Sequence, residues 1–272
     1  MNNLGVVKTT IGTLRLKPGF TDEVADETIF GRLVGILEEH EDGWYLVETD
    51  YRYKGYIHES QIIIDNDVAQ NWDKEANYII NHGVVDVLKE PKYQSYSIML
   101  LTRGAVVKII SQGTDSWTEI ELPDGEKGWV RRDFLGERIR PLTDLKEHEE
   151  LIRKNVVATA LSYLGTQYRW GGKTPLGIDC SGLCSISYLL NGIVIFRDAR
   201  IVKEFSMREI SLDEIKPGDM LYWPGHVAMY IGNNKYVHST GSLSGVVINS
   251  LNSEDDDFRE SLLRVEQVGT VF

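Results

Sequence analysis

Cysteine is scarce in this 272-residue chain, and apolar residues nowhere run long. Two cysteines, Cys180 and Cys184, four positions apart, are too few for a disulfide scaffold. That leaves chemistry, metal binding or plain packing as their use. No stretch approaches the ~20 apolar residues of a membrane helix, so no helical span is expected. The opening MNNLGVVKTT lacks the basic start, apolar middle and small-residue cleavage site of a secretory signal. As written the chain is expected in the cytoplasm, or in the cell envelope if a signal has been removed. Positive charge is also short: 29 Lys and Arg against 41 Asp and Glu give a net charge of -12. Such a field disfavours nucleic acid and anionic surfaces as partners, while small substrates with a positive end stay compatible. The acidic run Glu254, Asp255, Asp256, Asp257 reads as solvated loop without a role.

What is present begins with a repeat. An offset of 73 residues carries Pro18 to Pro91, Gly31 to Gly104, Asp42 to Asp115, Trp44 to Trp117, Gly55 to Gly128 and Tyr56 to Trp129. Between these markers lie β-branched and aromatic segments (LVGILEE, WYLVET, AVVKII) separated by Gly, Asp and Pro turns, the pattern of small antiparallel barrels. The repeated Trp and Tyr residues read first as barrel packing. The charged, proline-bearing ERIRPLTDLKEHEE then marks a boundary. Past it, Asp144 with Glu147 can cap a helix whose apolar stripe is Leu145, Ile152, Val156, Ala160 and Leu164, stopped by Gly165. A cysteine-bearing helix ending near Asn191 and Gly192, then several strands, make the last part α+β. Domains are expected at residues 1–66, 67–140 and 141–272.

In TPLGIDCSGL, Asp179 stands at the turn and Cys180 in the first helical turn, with Leu183 and Leu190 to bury the helix. A helix start and a nearby imidazolium both lower a thiol pKa and make a nucleophile of it. Gly171, Gly172 and Gly177 would let backbone approach a ligand closely. The base is supplied by GHVAMYIG, with His226 at the head of an alternating strand, and KYVHSTG places His238 on the next. If the loop around Gly232, Asn233 and Asn234 has an odd number of residues, both histidines share one sheet face as diagonal neighbours. One imidazole could then orient the other, as in a nucleophile–base–orienter set. His40, His58, His82 and His148 have no comparable partners and are expected at the surface.

Taken in order, YRWGG…DCSGL, RDA, PGDMLYW, HVAMYIGN and YVHSTG resemble the NlpC-type cysteine peptidases of bacterial cell-wall peptides, over nearly all of residues 150 to 240. DGW…GYI and DSW…GWV resemble bacterial SH3-like domains. Tandem domains of that kind ahead of such a core are similar to the dipeptidyl-peptidase VI type. The resemblance implies two all-β SH3-like barrels followed by an α+β papain-like catalytic domain. It implies hydrolysis of the bond between γ-D-glutamate and a diamino acid, meso-diaminopimelate or L-lysine, in a short muropeptide, with no metal or organic cofactor; the chain is expected to be a monomer.

Carried onto this chain, the resemblance makes Cys180 the nucleophile, His226 the base and His238 its orienter. Tyr168 would stand beside the sulfur, where its hydroxyl and the Cys180 N–H stabilise an oxyanion. Ser181 and Arg197 would hold the D-glutamate, and Asp198 the free amine of an N-terminal L-alanine. Trp170 and Asp179 fall inside the matched motifs and serve either substrate or packing. In relatives the first SH3-like domain closes the cleft; Glu23, Glu27, Tyr51 and Tyr53 are candidates among which no motif selects. Two departures stand out: the family's PRD arrives as Phe196, Arg197, Asp198, and Ala199 replaces a common hydroxyl. Three rival readings remain: a zinc site of Cys180, Cys184, His226 and His238, an inactive wall-binding module, and the same fold acting as amidase or acyltransferase.

Overall fold

The computed structural model describes residues 3–113, 116–142 and 145–272. The chain separates into two compact units, Met1–Arg138 with Thr174–Leu176 and Ile139–Lys173 with Gly177–Phe272. Among the described residues, the first unit contains two seven-stranded antiparallel sheets, spanning residues 4–64 and 78–137, with a helix Asn66–Glu75 between them. Both barrels therefore fall in one compact unit, and the helix at their junction carried no signal in the sequence reading.

The 73-residue offset is a repeat of contacts. Strands Trp44–Thr49 and Lys54–His58 recur as Trp117–Glu121 and Lys127–Arg131. Gly31 and Gly104 both take positive φ, 75° and 89°, which side chains resist. A Cβ on Gly55 would lie 2.9 Å from Leu14, and one on Gly128 would lie 2.4 Å from Val87, the residue 73 positions after Leu14. Trp44 and Trp117 are both buried under an aromatic lid, Phe20 at 5.0 Å and Tyr93 at 5.3 Å. Of the pair Asp42 and Asp115, the second lies outside the described residues. Strands Ile11–Arg15 and Lys54–His58 alternate inward and outward, and Val7, Leu14, Val34, Val47, Ile57 and Ile62 fill the first barrel. Glu27 and Tyr51 are buried in that barrel, where the Tyr51 hydroxyl donates to Asp26 at 2.5 Å.

Two of the histidines expected at the surface, His82 and His148, are exposed. His40 and His58 are half-buried, and His58 does structural work: its Nδ1 accepts from the Ser60 N–H and its ring packs on Phe20 and Trp44.

The second unit is a six-stranded antiparallel sheet with helices packed on it. In chain order its elements are α1 (Glu149–Leu161), α2 (Cys180–Leu189), β1 (Arg208–Ile210), β2 (Met220–Trp223), β3 (His226–Gly232), β4 (Lys235–Thr240), β5 (Gly245–Ser250) and β6 (Gln267–Thr270). The sheet order is β1-β6-β2-β3-β4-β5, and α2 packs against α1, β3 and β4. The α1 stripe is shorter than its apolar pattern: Ile152, Val156 and Ala160 are buried inside it, while Leu145 precedes the helix and Leu164 follows it, 47% exposed. The cap assigned to Asp144 lies outside the described residues.

One buried ionic cluster ties α1 to the sheet. Arg153 donates to Glu149 at 2.8 Å, to Asp219 at 2.8 Å, to the Pro217 carbonyl at 2.9 Å and to Thr270 at 3.3 Å. Asp219 is fully buried, so its charge depends on that guanidinium. Beside it, the Tyr188 hydroxyl of α2 donates to the Gly218 carbonyl at 2.5 Å. Arg153→Met leaves Asp219 with the Lys216 N–H as its remaining donor named here, and is expected to lose roughly 3–5 kcal/mol in urea unfolding. Adding Asp219→Asn should restore part of that loss.

Candidate active site

The helix α2 begins at Cys180 because Asp179 caps it. Asp179 has extended backbone angles, and its carboxylate accepts from the Gly182 N–H at 2.6 Å, satisfying one of the orphan donors of a helix start. The same carboxylate accepts from the Gly171 N–H at 2.8 Å and so holds the glycine loop over the helix end. A Cβ on Gly182 would lie 2.1 Å from the Gly172 carbonyl, and one on Gly172 would lie 2.5 Å from the Gly177 carbonyl. Of the glycines expected to admit a ligand, Gly172 sits against neighbouring backbone and Gly177 against the Arg169 side chain.

Arg197 completes this base. Its Nη1 donates to Asp179 at 3.0 Å and to the Ser181 hydroxyl at 2.7 Å, while Nη2 donates to the other Asp179 oxygen at 3.1 Å and to the Gly172 carbonyl at 3.4 Å. Sequence reasoning put Arg197 and Ser181 on a substrate carboxylate. In the structure Arg197 is 2% exposed and forked onto Asp179, and Ser181 is 9% exposed with its hydroxyl taken by Arg197 and Asp179. Both brace the start of α2 beside Cys180.

Cys180 itself is 8% exposed. Its sulfur is approached by the backbone N–H groups of Ser181 and of Val227, the residue after His226. The expectation of a lowered thiol pKa is reversed: burial raises it, the Asp179 charge raises it further, and the Val227 N–H, Arg197 and the Ser181 N–H oppose them. Cys184, one turn on, is 1% exposed and its pKa is pushed well up by burial, so it packs. Tyr168 lies close enough for the Cys180 and Asp179 charges to act on it; burial first, then those charges, raise its pKa to about 12 and keep its O–H a donor. Trp170 is 62% exposed on the loop after it, and Asp198 is half-buried in the turn after Arg197, closed by the Arg200 N–H on its carbonyl at 2.7 Å.

The two histidines come together as the hairpin requires. Tyr230 pairs with Tyr236, enclosing five residues, and Asn233 and Asn234 turn the chain with φ of 53° and 58°. A bulge before the turn makes the count odd, so His226 and His238 fall on one face. His226 Nε2 and His238 Nδ1 stand 2.7 Å apart. Burial, then the neighbouring His238, lower the His226 pKa to about 4; burial also lowers that of His238, against the pull of Asn249. Both imidazoles are thus neutral at pH 7.

Sequence reasoning missed Asn249 on β5. It is 1% exposed, accepts from His238 Nε2 at 2.9 Å through Oδ1, and donates through Nδ2 to the Asp257 carbonyl at 2.6 Å. Its one signal was an amide inside the apolar strand GVVINS. The acidic run is a solvent-facing loop, as expected, with two of its carboxylates paired: Lys235 binds Asp255 and Asp257, each at 2.8 Å, and the Ser250 hydroxyl donates to Asp255 at 2.7 Å, folding that segment back along the sheet. Among the described residues no group of three or more His, Cys, Asp and Glu side chains is placed to hold a metal ion, so the four proposed zinc ligands do not converge as a set.

An NlpC/P60 family model matches residues 165–260, and a bacterial SH3 domain model matches residues 83–136. Dipeptidyl-peptidase 6 of Lysinibacillus sphaericus is 42% identical over 271 residues, covering 98% of this chain and 99% of that protein. Gamma-D-glutamyl-L-lysine dipeptidyl-peptidase of Bacillus cereus is 25% identical over 85% of this chain and 72% of its own. The crystal structure of an NlpC/P60 family protein from Bacillus cereus superposes with a TM-score of 0.76 at 18% identity, covering 97% and 98% of the two chains, and so shares the fold.

The neutral imidazoles have a measurable consequence. Below pH 6.5 the unfolded chain takes up a proton at His226 that the folded protein refuses until about pH 4. The unfolded state binds more protons across that window, so stability falls as pH drops from 6.5 to 4 and this contribution then levels off. Calorimetric Tm is expected to follow that course, with a shallower fall in His226→Gln; an equal slope in both proteins contradicts the assignment.

Proposed function

The chain belongs to the NlpC/P60 family of cysteine peptidases, with SH3-like β domains ahead of a papain-like catalytic domain, and on that premise we propose that it cleaves γ-D-glutamyl–diamino acid bonds in short cell-wall peptides. The diamino acid is meso-diaminopimelate or L-lysine, and the preferred peptides begin with a free L-alanine. The observation that carries the reading is the hydrogen-bonded His226–His238 pair at 2.7 Å, beside a helix-start thiol whose sulfur takes the N–H of Val227. The two dipeptidyl-peptidases similar to this chain support the substrate class.

Chemistry follows from the neutral resting state. The Cys180 sulfur attacks the γ-carbonyl of D-glutamate while its proton passes to His226, so charge separates only as the carbon–sulfur bond forms. The Cys180 backbone N–H at the helix start and the Tyr168 hydroxyl receive the developing oxyanion. His226 then returns the proton to the departing amine of the diamino acid. Water, deprotonated by the same imidazole, hydrolyses the acyl-enzyme and frees the thiol. Throughout, Asp179 and Arg197 hold the helix start and its glycine loop still. Asp198 meets the terminal ammonium, which sets substrate length by charge.

Incubation with L-Ala-γ-D-Glu-diaminopimelate should release diaminopimelate, and blocking the terminal amine should reduce kcat/KM by about 10-fold or more, the scale of one charge-assisted contact. Equal cleavage of free and blocked peptides rejects the Asp198 assignment. Cys180→Ala should abolish turnover, whereas His238→Ala should leave a residue of it; a Cys180→Ala protein that still cleaves rejects the mechanism.

A further inference from the structure

His226, His238 and Asn249 lie on three neighbouring strands, β3, β4 and β5, and form one diagonal across the same sheet face. Met229 pairs with Val237 and His238 pairs with Val247, so each member of the line stands two positions from the cross-strand partner of the one before. The line ends on the Asp257 carbonyl, which can only accept. Asn249 must therefore turn its NH2 group towards Asp257, at 2.6 Å, and its Oδ1 towards His238.

Directions then propagate inward without further choice. Oδ1 can only accept, so His238 carries its proton on Nε2, 2.9 Å away. A neutral imidazole so protonated has a bare Nδ1, which accepts at 2.7 Å from His226 Nε2–H. The lone pair of His226 is thereby left on Nδ1, the nitrogen facing away from the pair. Burial and the positive charge of Arg259 both hold His238 neutral, which the chain of bonds requires. With the amide removed, His238 is free to protonate on Nδ1 and donate to His226 Nε2, which moves the His226 proton to Nδ1 and abolishes the base on that side.

We propose that Asn249 is a positioning residue for the peptidase reaction, its amide locked by the Asp257 backbone so that the tautomers of His238 and His226 are fixed with the basic lone pair on His226 Nδ1. The proposal rests on the reading of His226 as the base. It also gives the segment carrying the acidic run a purpose: Lys235 and Ser250 anchor the turn that presents the Asp257 carbonyl.

The test compares the wild-type full chain with Asn249→Leu, which keeps the shape and loses both polar atoms, and Asn249→Asp, which keeps the acceptor. Long-range proton–nitrogen NMR spectra of 15N-labelled protein should show both histidines protonated at Nε2 in the wild type and in Asn249→Asp, and a mixture in Asn249→Leu. With L-Ala-γ-D-Glu-diaminopimelate, kcat should fall on the order of 10- to 100-fold in Asn249→Leu at nearly constant KM, the scale of other lost second-partner contacts to a working histidine. Asn249→Asp should recover most of kcat and move the acid limb of the kcat/KM profile to higher pH, because a carboxylate favours protonated His238. Wild-type tautomers and wild-type kcat in Asn249→Leu overturn the proposal. If that variant is unfolded by circular dichroism, the Asp variant decides alone: an unmoved acid limb overturns it. A wild-type protein that leaves the peptide uncut sinks the substrate reading, while the tautomers still judge Asn249.

Discussion

Asp179 sits where the chain must do several incompatible things at once, and its buried carboxylate reconciles them. It caps the cysteine helix, holds the glycine loop by Gly171, and takes the fork of Arg197. A lone carboxylate in that place would cost several kcal/mol in lost hydration, and a lone guanidinium as much. Together, with N–H and hydroxyl partners filling the remaining positions, they become a rigid mount. The cost falls on the thiol, because the carboxylate that starts the helix also raises the pKa of the residue next to it.

That opposition explains the electrostatic character of the site. Burial disfavours every charge at the reacting centre, raising the thiol and lowering both imidazoles. Fixed dipoles replace water: the N–H groups at the helix start and at Val227 point at the sulfur. A centre built this way stabilises an ion pair once formed without forming it in advance, which is differential stabilisation of the state along the reaction.

Local chemistry made much of this legible from sequence. A thiol after Asp-turn residues at a helix start, and two histidines on an alternating hairpin, are short-range patterns; that the imidazoles share one face hung on the parity of the turn, which the bulge makes odd. The barrel repeat was legible because packing at Gly55 and Gly128 forbids a side chain at the same place twice. What stayed hidden depends on contacts distant in the chain. Nothing local reveals the fork of Arg197 onto Asp179, and Asn249 drew no notice because its partners are 11 residues upstream and 8 downstream. The pairing of the acidic run was hidden since Lys235, 20 residues before Asp255, is not its neighbour in sequence. Helix ends misled for the same reason: the stripe from Leu145 to Leu164 continues past what the tertiary structure buries.

The second sulfur of α2 bears on how the protein ages. Cys184 is buried behind Cys180 with its thiol held firmly protonated, so it offers no partner to a sulfenic acid formed at Cys180. Peroxide damage at Cys180 then finds no resolving thiol in Cys184 and would run on to the irreversible acids. Protection rests instead on keeping the Cys180 sulfur buried and uncharged, so that oxidants meet a poor target.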